Sequence, residues 1–380
     1  MATQLLMKDG LGEVAVLRII NGLLASGASF SAEDFHRDAM EGLSELELKQ
    51  RVSHLIEVMG KYLPTNFEEA AHILGNIRDH WDEGDANDSL RSFAAWPVID
   101  YISVYGLEHP KIALSLLSYL TPMYSAEFAI REFLNRHPEQ TYNEMSLWSL
   151  SSDEHVRRLA SEGIRPRLPW GCQLPQYIEN PTPVIALLNN LVDDTSDYVR
   201  RSVANNLNDI SKDHPELVIA TCRRWMAEAI PARQWIIRHA TRTLVKAGHP
   251  EVFALLGHTA SPQIEIRNLN LSHTHLELGS DLRIEAEISS CSEQMQSLVI
   301  DYTIHFVKAS GQTAPKVFKW KNLKLKAGET VQLTKKHPFK VITTRNYYAG
   351  QHRLEITVNG MARAETQFEL FLPELFPASS

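Results

Sequence analysis

The spacing of hydrophobic positions changes once along the chain, close to residue 260. Up to that point apolar residues recur every three or four positions, as in the segment 197–207, and this spacing places them on one face of an α-helix. Beyond it, apolar and polar residues alternate, as in the segment 298–306, which is typical of a β-strand with one buried face. The pattern predicts a helical domain at residues 1–258 and a β domain at residues 263–372.

The helical half repeats with a period near 40 residues. Glu162, Asn205 and Arg242 fill the same position of three related segments. Because proline fits the first position of a helix and cannot continue the preceding one, a His-Pro dipeptide predicts a turn between helices. Four such dipeptides occur, at His109-Pro110, His137-Pro138, His214-Pro215 and His249-Pro250. Helix pairs at this period predict a HEAT-like α-solenoid.

The β half contains segments that predict about seven short strands. They lie at residues 263–269, 282–288, 298–306, 317–320, 331–333, 354–358 and 366–371. Asn359-Gly360 predicts a tight hairpin turn between the last two. This density of short strands predicts an immunoglobulin-like β-sandwich. The predicted fold class is therefore multidomain α + β, a HEAT-like α-solenoid followed by a C-terminal immunoglobulin-like sandwich.

Charge is segregated along the chain, although its formal net value is −8. Residues 1–100 hold 17 acids and 8 bases, whereas residues 301–360 hold 11 bases and 3 acids. A segregated distribution can give an acidic protein a basic footprint for a polyanion. The alternative is a solvated, lysine-rich face of the sheet without a partner.

The cysteine pattern and the lack of long apolar runs indicate the compartment. Three widely separated cysteines, Cys172, Cys222 and Cys291, give neither a disulfide framework nor a zinc site and fit a reducing environment. Charged residues interrupt the apolar positions of residues 1–30, unlike a secretory signal, and no apolar run is long enough to cross a bilayer. We expect a cytoplasmic protein without a membrane partner.

A solenoid exposes one helix of each repeat on a concave surface, and basic and amide side chains fall at the repeated position or beside it. These are Arg158, Arg201, Asn205, Asn208, Lys212, Arg238, Arg242 and Lys246. Arginine and asparagine suit phosphate oxygens, since they offer charged and neutral hydrogen-bond donors. The structural alternative is that such residues tie neighbouring helices together.

The segment 162–171 is the least ordinary part of the helical half. Two prolines and two glycines break a helix just after Glu162 and place Arg165, Arg167 and Trp170 in the break. A carboxylate and an indole close together suit a cationic base or sugar. Glu127, one repeat earlier, is a second candidate acid, for which a solvated surface position is the alternative.

Three segments together resemble the AlkC branch of the bacterial alkylpurine DNA glycosylases. They are Arg157–Gly171, with its Arg-Pro-Arg-Leu-Pro-Trp loop, Tyr198–Lys212, with Asn-Asn-Leu-Asn-Asp, and Trp235–Arg242. The resemblance covers essentially the whole chain, because AlkC proteins also carry an immunoglobulin-like domain after their HEAT-like repeats.

This resemblance implies a monofunctional glycosylase of base excision repair. It would hydrolyse the N-glycosidic bond of cationic methylated bases, chiefly 3-methyladenine and 3-methylcytosine, in duplex DNA without flipping the base, as a monomer and with no cofactor or metal. By the same analogy Glu162 and Glu127 are the catalytic acids, Trp170 lies against the deoxyribose, and Asp209 lies in the same cleft.

The candidate DNA contacts combine the resemblance with the charge pattern. They are Arg158, Arg165, Arg167, Arg201, Ser202, Asn205, Asn206, Asn208, Lys212, Arg238, Arg242, Lys246, Lys319, Lys321, Lys335, Lys336 and Arg345. Two other functions remain open from the residues alone. One is a HEAT-repeat scaffold that binds a protein without chemistry, and the other is a module that binds damaged DNA without cutting it.

Overall fold

A computed structural model describes residues 6–227, 230–342 and 345–372. Within these ranges a helical region precedes a β region. The helices are α1 (Glu13–Ala25), α2 (Ala32–Met40), α3 (Leu48–Tyr62), α4 (Phe67–Asn76), α5 (Ala95–Tyr105), α6 (Pro110–Leu120), α7 (Ala129–Arg136), α8 (Pro138–Trp148), α9 (Glu154–Gly163), α10 (Pro175–Glu179), α11 (Thr182–Asn189), α12 (Asp197–Ile210), α13 (Pro215–Met226), α14 (Pro231–Ala240), α15 (Arg242–Lys246) and α16 (Pro250–Leu255). In the described part of the chain, none is both long and apolar enough to cross a membrane.

The four His-Pro turns are confirmed. Helices α6, α8, α13 and α16 each begin at the proline of one dipeptide. The missing amide hydrogen of proline costs nothing there, because the first amides of a helix have no partner within it. In two of these turns the histidine ring bonds a backbone carbonyl, with His137 Nε2 2.8 Å from Leu107 O and His214 Nε2 2.7 Å from Ile178 O. The dipeptides therefore mark helix boundaries, as predicted.

Two sets of helices carry the residues of interest. Helices α3, α5 and α7 pack in succession, and α9, α12 and α14 do the same. Each helix buries an apolar face, as α12 does with Val199, Val203 and Leu207. The third predicted repeat differs from the other two, because α14 ends at Ala240 and α15 begins at Arg242.

The compact units of the fold do not divide where the hydrophobic period changes. One unit consists of the described residues of Met1–His214 and Trp225–Ala240, and the other of those of Pro215–Arg224 and Thr241–Ser380. In the second unit, Ile219 of α13 packs with Leu244 of α15 and Val252 of α16. The change of period locates the first strand, whereas the unit that contains the strands also includes helices that precede it. The predicted boundary at residues 258–263 lies between α16 and β1, and its role as a domain boundary remains a prediction.

The β region contains two sheets. Its strands are β1 (Ile264–Leu271), β2 (His275–Glu277), β3 (Asp281–Ser290), β4 (Gln296–Val307), β5 (Thr313–Leu325), β6 (Thr330–Pro338), β7 (Gly350–Val358) and β8 (Met361–Phe371). They form a three-stranded sheet in the order β1-β3-β6 and a five-stranded sheet in the order β2-β8-β7-β4-β5. The seven predicted strands are confirmed. Strand β2, with three residues, is too short for its alternation to be recognised.

The turn at Asn359 is built into the core of this unit. Asn359 has φ +47°, a left-handed conformation that asparagine tolerates better than most residues, and it is followed by the glycine of the hairpin. Its buried amide accepts a hydrogen bond from Val299 N at 2.6 Å and donates to Thr259 O at 2.7 Å. One side chain therefore fixes the β7–β8 turn, the start of β4 and the segment that precedes β1.

We expect Asn359→Ala to lower the free energy of unfolding by about 2–3 kcal/mol, because it leaves buried backbone groups without partners. Urea denaturation of the purified protein measures this loss. The matched control is Asn322→Ala, at an exposed position of β5, with an expected change within about 0.5 kcal/mol. Equal losses in the two variants would contradict the role given to the Asn359 amide.

Candidate active site

Six side chains of alternating charge form a continuous chain from the residues just before α7, through α9 and the loop after it, to the end of α12. Each contacts the next within 4 Å, and the sequence of charges is acid, base, acid, base, acid, base. In order, the residues are Glu127, Arg158, Glu162, Arg165, Asp209 and Lys212. We call this set the charge chain.

Glu162 lies in the last turn of α9 and near the middle of the charge chain. Its side chain is buried, with the residue 5% exposed. One carboxylate oxygen, Oε1, accepts a hydrogen bond from Arg165 Nη1 at 2.6 Å, and the other, Oε2, accepts one from Ser202 Oγ at 2.6 Å. Both oxygens are therefore held in fixed directions by donors from two different segments of the chain.

Arg165 joins Glu162 to Asp209. Its Nε donates to Asp209 Oδ2 at 2.8 Å, and Lys212 Nζ donates to the second oxygen of Asp209 at 3.0 Å. Burial lowers the pKa of Arg165, but the carboxylates of Glu162 and Asp209 outweigh this effect and the net pKa is raised. The guanidinium thus remains charged between two buried acids.

Arg158 performs the same function at the other end of the charge chain. Its Nη1 donates to Glu127 Oε2 and to Ser125 Oγ, both at 2.7 Å, and its Nη2 lies 3.7 Å from Glu162 Oε1. The guanidinium also lies 4.5 Å from the ring centroid of Tyr198. Burial lowers its pKa, and Glu127 and Glu162 raise it by more. One cation therefore separates two carboxylates that would otherwise repel each other.

Trp170 lies in the predicted break after α9, in the loop that also supplies Arg165. Its indole is exposed, with the residue 54% accessible, and its φ of +66° is unusual for a residue with a side chain. Lys49, from the first turn of α3, donates a hydrogen bond to the backbone carbonyl of Trp170. Trp170 lines a cavity of about 260 Å³ together with Trp96 and Phe128.

Four of the predicted DNA contacts are buried in the structure, and their contact with DNA remains a prediction. They are Arg165, Ser202, Asn206 and Asn208. Ser202 binds Glu162, and Asn206 Nδ2 donates to Ser161 O at 2.8 Å, so both join α12 to α9. The guanidinium of Arg158 is paired with the carboxylates of Glu127 and Glu162.

The remaining candidates in the helical region are accessible. Arg201, Lys212, Arg238 and Lys246 are exposed, and Arg167, Asn205 and Arg242 are partly exposed. Arg167 forms a bidentate pair with Asp213, with distances of 2.8 and 2.9 Å. The predicted contacts of these seven residues with DNA remain predictions.

The basic residues of the sandwich are distributed over two edge strands. Lys319 and Lys321 lie on β5, at the edge of the five-stranded sheet, and Lys335 and Lys336 lie on β6, at the edge of the three-stranded sheet. Lys319 lies 3.7 Å from Asp301, and Lys336 lies 2.5 Å from Asp281. Arg345 places its guanidinium 4.3 Å from the ring centroid of Phe306. The basic residues therefore do not form one uniform sheet face.

Comparison with known proteins gives a consistent assignment. Residues 124–244 match the family model described as "DNA alkylation repair enzyme", and residues 265–372 match "Uncharacterised protein YhaZ, C-terminal Ig-like domain". "Uncharacterized protein YhaZ" of Bacillus subtilis (strain 168) is 35% identical over 365 residues, which cover 96% of this chain and 99% of that protein. A Pseudomonas fluorescens structure, "alkylpurine DNA glycosylase AlkC bound to DNA containing an abasic site analog", is 34% identical with a TM-score of 0.87, over 96% of this chain and 99% of that one.

This chain belongs to the AlkC-type alkylpurine DNA glycosylase family. The match to the DNA alkylation repair model spans all six residues of the charge chain. The separate match to the immunoglobulin-like model confirms the architecture predicted for the β region.

Two residues of this candidate site, Arg131 and Ser161, were not predicted from the sequence. Arg131 lies among the apolar residues of α7, and its position between Ile130 and Phe133 was the available signal. Ser161 precedes Glu162, and its hydroxyl lies 2.6 Å from Ser202 Oγ. Both are polar residues inside helix contacts, so their partners become evident only when the helices are placed beside each other.

Substitution of Arg165 and of Arg167, in the loop after α9, tests whether burial determines how much each ion pair contributes to the free energy of unfolding. We expect Arg165→Met to lower the free energy of unfolding by about 3–5 kcal/mol, because it leaves Glu162 and Asp209 buried without their shared cation. Arg167→Met breaks a more exposed pair and should destabilise the protein much less. Urea denaturation of both variants measures the difference, and a loss below about 1 kcal/mol for Arg165→Met would contradict this interpretation of the charge chain.

Proposed function

We propose that the protein is a monofunctional DNA glycosylase that removes cationic methylated bases, chiefly 3-methyladenine and 3-methylcytosine, from duplex DNA. The observation that carries this proposal is the charge chain, in which Glu127 and Glu162 flank the guanidinium of Arg158. The similarity to a glycosylase bound to abasic-site DNA supports it, since an abasic site is what remains when a glycosylase has removed a base.

The chemistry requires an ionised carboxylate rather than a proton donor. Methylation at a ring nitrogen gives the base a positive charge, so the base leaves with the electron pair of the N-glycosidic bond and needs no proton from the enzyme. Positive charge then develops on the deoxyribose, where a carboxylate stabilises it. Water adds to the sugar carbon and gives a proton to a carboxylate acting as a base. Glu162 is the first candidate for this role and Glu127 the second, with Trp170 against the sugar and Asp209 fixing Arg165.

We propose that the helical region is a HEAT-like solenoid whose inner layer of helices faces the duplex. Exposed cations such as Arg201 and Arg238 would contact phosphates, and lysines of β5 and β6 would add contacts from the sandwich. We further propose that the base is not flipped, and that the enzyme acts as a monomer in the bacterial cytoplasm, where DNA and reduced cysteines coexist.

A structural role is the rival explanation, since a charge chain can also tie neighbouring helices together. A non-catalytic scaffold would neither bind DNA in a salt-dependent way nor release bases. A module that recognises damage would bind but release none. Base release from methylated DNA therefore separates the three functions.

We expect the protein to release 3-methyladenine from methylated duplex DNA, and Glu162→Gln to lower the single-turnover rate by at least about 100-fold. The amide keeps the volume of the side chain and loses its negative charge. Glu139→Gln, at an exposed position of α8, is the matched control and should keep the full rate. Equal rates in wild type and Glu162→Gln, with both proteins folded, would remove Glu162 from the mechanism.

Neutralising sandwich lysines tests whether they bind DNA. We expect the Lys321→Gln/Lys335→Gln variant to bind duplex DNA more weakly, and its log–log plot of affinity against salt to be shallower by about 0.9 for each phosphate that a lysine no longer neutralises. Fluorescence anisotropy at several salt concentrations measures both effects. Lys111→Gln, at an exposed position of α6, is the control and should leave the slope unchanged. An unchanged slope in the double variant would show that these two lysines do not neutralise phosphates. Their role would then be to prevent the edge strands from pairing with other strands.

A further inference from the structure

Arg131 is a fully buried arginine in α7, with 0% exposure and no carboxylate within salt-bridge distance among the described residues. Its Nε donates to Cys172 O at 2.7 Å. Its Nη1 donates to Gly163 O and to Arg165 O, both at 2.8 Å. These three carbonyls belong to the two ends of the segment 163–172, which carries Arg165 and Trp170. One guanidinium therefore joins both ends of the loop to α7.

The glycines at the two ends show how closely the loop approaches α7. A Cβ atom on Gly163 would lie 2.5 Å from Ile130 Cγ2, and one on Gly171 would lie 3.3 Å from Arg131 Cδ. The first distance is too short for any side chain, and the second leaves little room for one. The backbone of the loop is thus packed directly on the helix that supplies the guanidinium.

Trp170 needs such support because little else fixes it. The residue is 54% exposed, and its left-handed backbone conformation is unfavourable in a residue that is not glycine. The backbone carbonyl of Trp170 accepts a hydrogen bond from Lys49, a residue of α3 that is distant in sequence. The conformation is therefore held by hydrogen bonds to the backbone on both sides of the indole.

Stability alone does not explain a buried arginine at position 131. Burial lowers its pKa, and the carbonyls that bind it carry only partial charges. Its Nη2 has no hydrogen-bond partner within the described residues. A buried ionic group of this kind can specify one conformation rather than add stability.

We propose that Arg131 and Lys49 are positioning residues that set the Trp170 loop for base excision. This inference rests on the proposed glycosylase function, and both residues act through the loop. Arg131 fixes its ends, and with them the backbone of Arg165 in the charge chain, while Lys49 fixes Trp170.

The first test measures the position of the indole directly. Protein labelled with 5-fluorotryptophan gives a ¹⁹F NMR resonance for Trp170, identified by its loss in Trp170→Phe. We expect Lys49→Met and Arg131→Lys to shift or broaden this resonance and to leave those of the other tryptophans near their wild-type positions. Lys61→Met, at an exposed position of the same helix as Lys49, should leave it unchanged.

The second test separates positioning from stability. We expect Lys49→Met and Arg131→Lys to lower kcat for release of 3-methyladenine by about 10- to 100-fold, since small displacements of a site have effects of this size. KM should change by less than about threefold, because neither residue is proposed to contact DNA. The control for Arg131 is Arg18→Lys, since Arg18 is also buried and donates to the carbonyls of Asp82 and Arg91. It should destabilise the protein and leave kcat unchanged.

An unmoved Trp170 resonance in Lys49→Met, or an unchanged kcat in that variant, would overturn the role of Lys49. The same results in a folded Arg131→Lys would overturn that of Arg131. If Arg131→Lys does not fold, Arg131 is structural and its assignment as a positioning residue fails. If the wild type releases no base, the proposed function fails, and the NMR comparison still decides whether the two residues hold the loop.

Discussion

The alternation of charge from Glu127 to Lys212 is the constraint on which the rest of the site depends. Three carboxylates in one small region of helix packing would repel one another, and burial would increase that repulsion. Arg158 and Arg165 separate them, and each is itself kept charged by the acids beside it. Because each of these two arginines lies between two acids, removal of either one affects both of its neighbours. The charge chain thus couples the geometry of the candidate catalytic groups to the packing of α9 on α12.

The need to pair these buried charges accounts for two other features of the region, a serine inside α12 and the course of the loop after α9. Ser202 lies inside α12 where an apolar residue would pack as well, but its hydroxyl satisfies the second oxygen of Glu162. The loop after α9 leaves the helix early, which allows Arg165 to turn back toward Glu162 and Asp209. In the same loop Trp170 has an unfavourable backbone conformation, and Lys49 of α3 and Arg131 of α7 donate hydrogen bonds to the backbone at and beside it.

The sequence predicted the helices and strands more accurately than the contacts between them. Prolines and alternation are local signals, so the helix starts, seven strands and the Asn359 turn could be read directly. Resemblance singled out Glu162 and Asp209, and the structure joins both to Arg165. Asn206 was expected at a DNA surface and is buried between helices. A stripe of polar residues on a helix looks the same whether it faces solvent or a neighbouring helix. The packing of α15 and α16 with the β unit depended on contacts that periodicity does not encode.

The central claim is that Glu162 stabilises positive charge on the sugar, and its most direct measurement is a comparison of affinities. Duplex DNA with a cationic abasic-site analogue and duplex DNA with a neutral one differ in little but that charge. The wild-type protein should bind the cationic duplex more tightly, and Glu162→Gln should lose most of this preference while binding the neutral duplex as before. Equal affinity of the wild type for both duplexes, or a preference that survives in Glu162→Gln, would contradict the claim.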